Sequence, residues 1–396
     1  MNKIELPKAA EYIISALNKA GYEAYIVGGC VRDCLLGKQP KDWDITTSAL
    51  PEQVKAVFSH TYDTGIEHGT VTVLIGKEGY EVTTYRIDGE YKDNRHPESV
   101  VFTNRLTGDL ARRDFTMNAV AYSPAAGFVD EFGGIKDMRA GIIRAVREPS
   151  ERFREDALRM MRALRFSAQL GFEIEKNTRA AIDENAHLIK NISMERVRDE
   201  LLKLLLSDNP LKVYELKDTG IADYVLPDLS AMLDENKAEI MSLLERTEKT
   251  AVKRLALIMH KMDGKRLERF LRSLRLDNKT IKDTVTISSY INAAADNSPY
   301  GIRRLICDTS EQMAADIIEM RGILSGEDTS QVMRTLKEIT DRGDCCSMAQ
   351  LAVSGGDLKA LGLNGKELGA ALKRCLDEVL KNPQNNNKEY LINYIS

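Results

Sequence analysis

At 396 residues with a net charge of −4, 43% hydrophobic and 29% charged, the chain has the length for two to four domains with ordinary cores. No apolar run is long enough to cross a bilayer, and Met-Asn-Lys-Ile-Glu-Leu-Pro is not a secretion signal. The six cysteines (Cys30, Cys34, Cys307, Cys345, Cys346, Cys375) form no CxxC pair and no zinc spacing with the five histidines, so reduced thiols, a cytoplasmic location and no membrane partner are expected.

In chain order, residues 9–20 predict a helix closed by Gly21. Residues 25–27 predict a strand running into Gly28-Gly29, followed by a short helix over 31–36. A second strand covers 43–46, and Pro51 opens a helix to residue 58. Residues 70–75 and 80–85 predict a hairpin about Gly76-Lys77-Glu78-Gly79, and 100–102 and 119–122 are weaker strands. From about Glu151 strand signals nearly vanish. Helical periodicity then dominates through 177–187, 194–206, 238–247, 252–260, 266–274, 302–307, 312–321, 330–342 and 366–380. The expected class is α+β: a small mixed head ahead of an elongated all-helical remainder.

Residues 156–165 read as one helix with a carboxylate and then an arginine every third position. At 100° per residue from Asp156, Arg159 falls at about −60°, Arg162 at about −120° and Arg165 at about 180°. Phe153, Ala157, Met161, Leu164 and Ala168 fall at about +60° to +140°, a core face opposite an acid-and-arginine ledge. Such a ledge can hold an anion with arginine forks and read a hydrogen-bonding edge. Basic residues also concentrate locally: 139–165 hold eight arginines against four acids, and 251–283 hold ten Lys/Arg against four. Patches of this kind can meet a polyanion within an acidic chain.

In the head, Gly28-Gly29-Cys30-Val31-Arg32-Asp33 puts two glycines between a strand and a helix, where backbone can approach a phosphate. Ten residues on, Asp42-Trp43-Asp44 on a strand sends two carboxylates to one face, where they repel. A divalent cation removes that repulsion, and carboxylate oxygens are ligands that Mg²⁺ prefers. Glu81 is a candidate third carboxylate across the sheet. This set suits two-metal phosphoryl transfer and needs no histidine or cysteine nucleophile.

Together with Arg112-Arg113-Asp114-Phe115-Thr116-Met117-Asn118-Ala119 and Glu155-Asp156-Ala157-Leu158-Arg159, these motifs resemble those of the class II tRNA nucleotidyltransferases, the CCA-adding enzymes. The resemblance spans nearly the whole chain. It implies a polymerase-β-like nucleotidyltransferase head (1–140), a helical neck with base selection (141–206), a helical body (207–265) and a helical tRNA-binding tail (266–396). It implies Asp42 and Asp44 as the catalytic, Mg²⁺-binding pair. Gly29, Arg32 and Arg113 would hold the incoming nucleotide, and Asp156 and Arg159 would read its base with Arg162 and Arg165 in support. The partners implied are tRNA, ATP and CTP, and no obligate protein partner is evident.

The chemistry of that base-reading pair is self-consistent. Cytosine and adenine both present an amino donor beside a ring-nitrogen acceptor, which an ionised Asp156 and Arg159 can match. Uracil and guanine present the reverse pattern, and each mismatched buried group costs roughly 1–3 kcal/mol. Within the same chemistry stand an A-adding enzyme and a poly(A) polymerase. Residues 86–97 resemble the flexible loop used for the final A, which disfavours a CC-only enzyme. No strongly basic C-terminal extension of the poly(A) polymerase kind is visible, and His260 stands alone rather than in a phosphohydrolase tandem. A non-catalytic tRNA-binding protein would be expected to have lost Asp42, Asp44 or Arg113, and all three are present. In the tail, Arg266, Arg269, Arg272 and Arg275 and the glycines about Gly355–Gly369 fit backbone contacts to tRNA.

Overall fold

The computed structural model describes residues 3–89, 99–235 and 237–396, which form two compact units, Met1–Ala231 and Met232–Ser396. The first begins with α1 (Lys8–Lys19), β1 (Ala24–Val27), α2 (Gly29–Leu35), β2 (Ile45–Thr47), α3 (Pro51–Val57) and β3 (Thr61–Gly65). It continues through β4 (Thr70–Ile75), β5 (Glu78–Thr84), β6 (Arg86–Asp88), β7 (Val100–Phe102), α4 (Leu106–Ala111), β8 (Ala121–Ser123) and β9 (Gly127–Val129). Then come α5 (Gly134–Ala140), β10 (Ile142–Ile143), α6 (Pro149–Glu155), α7 (Leu158–Leu170), β11 (Glu173–Ile174), α8 (Lys176–Asn185) and α9 (Met194–Leu205). The class is α+β, as the sequence predicts.

Seven strands form one sheet in the order β3-β4-β5-β2-β1-β8-β9. Only β2 and β5 run parallel, with Ile45 beside Val82; the other pairs are antiparallel. The predicted hairpin is β4–β5, closed by Gly76 at φ 66°, a left-handed conformation that glycine takes without strain. Strand β3 carries no apolar alternation because it lies at the sheet edge with its middle residues exposed. Strands β6 and β7 make a separate ribbon from the start of the 86–97 segment, whose residues 90–97 lie outside the described residues. One core cluster joins Val27 on β1, Ala121 on β8 and Leu106 and Leu110 on α4. It fixes the strand ends that carry the chemistry.

Two expectations change. The Asp42-Trp43-Asp44 segment precedes β2, which starts at Ile45. Asp44 still accepts the Val27 N–H through its carbonyl, but Gly28 turns away at φ 78° and removes the partner that Trp43 and Asp42 would need. The helix read as continuous through 156–165 is broken. Helix α6 ends at Glu155, Asp156 adopts an extended conformation (φ −136°, ψ 101°), and α7 begins at Leu158. The Asp156 carboxylate causes the break by accepting the Leu158 N–H at 3.1 Å, a local bond that competes with helix continuation. The angular argument therefore holds within α7 and not for Asp156 or Phe153.

The second unit is helical, from Lys237–Leu244 through Ala251–Ile258, Gly264–Ser273, Asn278–Ile291 and Pro299–Asp308. It continues through Glu311–Ser325, Ser330–Asp341 and Gly365–Lys381 to Lys388–Ile395. Among the described residues no helix is long and apolar enough to cross a membrane.

Candidate active site

The β1–α2 turn builds the first wall of the site. A Cβ at Gly28 would lie 3.0 Å from Arg113 Nη1 on a backbone already at positive φ, so this position accommodates glycine alone without strain. Below it, the Cys30 thiol donates to the Val27 carbonyl at 3.3 Å and lies 3.9 Å from the Asp44 carbonyl. Burial pushes this thiol up to about 12, with Asp44 adding to the shift. It is a packing group rather than a nucleophile.

Asp42 and Asp44 sit beside this turn at the entrance to β2, both reachable by solvent, with the Asp44 carboxyl set back among neighbouring groups. The recessed position of Asp44 desolvates its carboxyl and raises it above the usual carboxylate range; Arg113 opposes that shift and Asp42 reinforces it. Their donor set, two carboxylates open to solvent and ligand oxygens, fits magnesium, which commonly takes one or two carboxylates plus phosphate and water oxygens. The parallel register brings Glu81 next to Asp44, yet no group of three His, Cys, Asp or Glu side chains among the described residues is placed to hold a metal ion. Glu81, the candidate third carboxylate, lines an adjoining cavity with Asp42 and Asp44 without forming such a group among the described residues.

Behind the carboxylates, guanidinium groups are held by buried acids. Arg112 and Arg113 both bond Asp109, at 2.9 and 3.0 Å, and Asp109 is fully buried. Arg162 grips Asp114 Oδ2 through Nε at 2.8 Å and Nη2 at 2.6 Å, while Asn118 donates to Oδ1 at 3.0 Å. Burial would raise the Asp114 carboxyl, but Arg162, Asn118 and Arg159 outweigh it and hold it well below the usual range. Arg32 is steadied by Asp33 and by Asn118 Oδ1, at 2.7 and 2.8 Å. Arg165 pairs with the buried Glu200 of α9 at 2.7 Å, and burial pulls its guanidinium down to about 10.

The base-reading candidates are equally braced. Arg196 of α9 reaches Asp156 Oδ2 at 2.9 Å and Oδ1 at 3.3 Å. Arg159 donates through Nη1 to Glu155 at 2.7 Å and the Arg152 carbonyl at 3.1 Å, and through Nη2 to the Arg112 carbonyl at 3.0 Å. Arg159 and Arg165 are buried, so the ledge is a cavity wall and not a solvated face.

Nine of the residues singled out in the sequence line one cavity of about 620 Å³: Gly29, Arg32, Asp42, Asp44, Arg113, Asp156, Arg159, Arg162 and Arg165; Glu81 lies outside it. Gly28, Arg112, Asp114, Asn118, Phe166 and Arg196 complete it. Asp114, Asn118 and Arg112 belong to a motif that sequence reasoning quoted without giving them roles. Arg196 and Glu200 could have been flagged as an i, i+4 charged pair on α9, flanking the apolar Val197, Leu201 and Leu204, with Glu200 buried on their side. Nothing local marks Phe166, which reads as core.

Residues 24–144 match the family described as Poly A polymerase head domain, and 171–233 match Probable RNA and SrmB- binding site of polymerase A. Residues 245–395 match tRNA nucleotidyltransferase domain 2 putative. Fold and cavity thus define a nucleotidyltransferase. The CCA-adding enzyme of Lactobacillus helveticus is 36% identical over 393 residues, covering 97% of this chain and 95% of the relative; that of Geobacillus kaustophilus is 39% identical over 371, covering 93% and 90%. The Bacillus stearothermophilus CCA-adding enzyme, solved in complex with CTP, superposes with a TM-score of 0.85 at 34% identity, covering 99% of this chain and 97% of that one. The chain belongs to the family of CCA-adding enzymes.

Proposed function

We propose that this protein adds C, C and A to the 3′ end of tRNA from CTP and ATP, in the cytoplasm, releasing pyrophosphate at each step. The observation that carries this reading is the single cavity in which Asp42 and Asp44 face Arg32, Arg113, Arg159, Arg162 and Arg165. A carboxylate pair and a set of guanidinium groups in one cavity match the needs of a nucleotidyl transfer, cation ligands and triphosphate donors.

Asp42 and Asp44 are the residues that would hold Mg²⁺, whose chemistry there is to offset triphosphate charge and make the acceptor hydroxyl more acidic. Gly29 lets backbone N–H groups approach the nucleotide, and Arg32 and Arg113 hold its phosphates and sugar. Asp156 carries three of about four possible acceptor contacts, leaving room for one amino donor. Among the described residues Arg159 has no partner for its Nε–H or for one Nη2 proton, since its bonds go to Glu155 and two carbonyls. That remainder matches cytosine and adenine and opposes uracil and guanine. Arg162 and Arg165 support the pair from the phosphate side. We assign catalysis to 1–140, base selection to 141–206, and tRNA binding to the tail at 266–396 joined through the body at 207–265.

The test is incorporation of label from CTP and from ATP into a tRNA lacking its last three nucleotides. Incorporation of both in the presence of Mg²⁺ is expected. Incorporation of neither overturns the reading, and use of ATP alone on a tRNA ending in CC would make it an A-adding enzyme.

A further inference from the structure

Three guanidinium groups surround the buried ring of Phe166. Those of Arg165, Arg32 and Arg162 lie 3.9, 5.0 and 5.4 Å from its centroid. They arrive on two different elements, α2 and α7. The ring is 4% exposed, and Phe115 meets it edge-on at 5.9 Å and 87°, so its orientation is fixed from behind. Like charges brought this close repel one another. Carboxylates relieve part of this, Asp33 for Arg32, Asp114 for Arg162 and Glu200 for Arg165. Arg165 nevertheless keeps a buried Nη2 with no hydrogen-bond partner among the described residues. What faces that guanidinium is the π-face of Phe166, which carries the negative end of the ring quadrupole.

We propose that Phe166 is a positioning residue that holds Arg32, Arg162 and Arg165 converged on the nucleotide triphosphate, a role resting on the reading of this cavity as the CTP and ATP site. An aliphatic side chain would fill the volume without the attraction, and the three guanidinium groups would spread. A carboxylate in its place would neutralise the charge the phosphates need. A ring attracts each cation weakly and leaves its N–H donors free for phosphate oxygens. Because the triphosphate is common to both substrates, the effect falls equally on CTP and ATP. Base choice stays with Asp156 and Arg159.

The test replaces Phe166 with mono-, di- and trifluorophenylalanine in the full chain, which drains the π-face of charge at nearly constant shape. KM for CTP and for ATP, kcat and Tm are read on the same tRNA. Both KM values are expected to rise stepwise, by about threefold to thirtyfold at the trifluoro ring, with kcat, Tm and the CTP-to-ATP ratio held. Phe166→Leu is expected to raise both at least as far. A flat KM across the series in an active protein overturns the proposal, and so does a KM rise that tracks a falling Tm, which would assign the ring to packing alone. An unsubstituted protein that uses neither CTP nor ATP would instead sink the functional reading beneath it.

Discussion

Arg196 and Asp156, forty positions apart, meet through two hydrogen bonds of 2.9 and 3.3 Å that fix the carboxylate at the joint between α6 and α7. A carboxylate so held keeps its remaining lone pair fixed in direction, an acceptor that suits an amino-bearing base. Asp156→Ala is therefore expected to relax discrimination against UTP by about tenfold to a hundredfold, and Arg196→Ala by a smaller factor, about threefold to tenfold. The double variant should be no worse than Asp156→Ala, because the two act on one contact. Misincorporation of labelled UTP on a tRNA lacking its last nucleotides measures all three. Unchanged discrimination in Asp156→Ala would remove it from base reading.

Asp42→Ala is expected to lower kcat by roughly a thousandfold or more, since it removes one of two ligands for the cation that offsets transition-state charge. Binding of tRNA should be largely retained, because the assigned RNA contacts lie elsewhere. Filter binding and single-turnover incorporation on the same preparation separate the two quantities. Equal loss of both would indicate misfolding.

The Asp114–Arg162 pair makes a pH prediction. The folded Asp114 carboxyl is held below its ordinary value of about 3.9, so its contribution to stability is complete above that pH and is lost only as pH falls towards the folded value. Asp114→Ala should cost about 2–4 kcal/mol, the lower end allowing for Arg162 being about one-third exposed. Urea unfolding at pH 7 and pH 5 should give the same difference between Asp114→Ala and the unsubstituted protein. The difference should narrow below pH 4.

The exposed Arg269 lies on the basic helix Gly264–Ser273 of the second unit. If that face meets tRNA phosphates, affinity should fall linearly on a log–log plot against salt, and Arg269→Ala should reduce the slope by about one unit. A salt-insensitive affinity would contradict the assignment of this helix.

Arg147 adopts a left-handed conformation at φ 61° just before α6. A non-glycine residue there carries about 1–2 kcal/mol of backbone strain, so Arg147→Gly should recover roughly 0.5–1 kcal/mol once the entropy cost of glycine is subtracted. Thermal unfolding would register this as a higher Tm, and a lower one would show that the arginine side chain contributes more than its backbone costs.

What was legible in the sequence was local. The turn at Gly28, the hairpin about Gly76 and the arginine phase within α7 follow from spacing, while the set of nine site residues, which line one cavity, came from the family resemblance. What escaped was set by partners distant in sequence. Glu200 and Arg196 bind Arg165 and Asp156 across 35 and 40 positions, and periodicity carries no information on such pairings. The joint at Asp156 escaped for a different reason. One side-chain-to-backbone bond outweighs a helical pattern that is otherwise continuous. The start of β2 moved because a strand needs a neighbour, and Gly28 withdraws it.

That joint changes how the protein can tolerate alteration. In an unbroken helix one inserted residue turns everything after it by about 100°. Because Asp156 leaves helical geometry, α6 and α7 keep separate phases. Insertions or deletions within α6 would reset Arg152 and Glu155 while leaving Arg162 aimed at Asp114 and Arg165 at Glu200. Of the arginines on α7 only Arg159, which bonds Glu155 and the Arg152 carbonyl, would feel such a change.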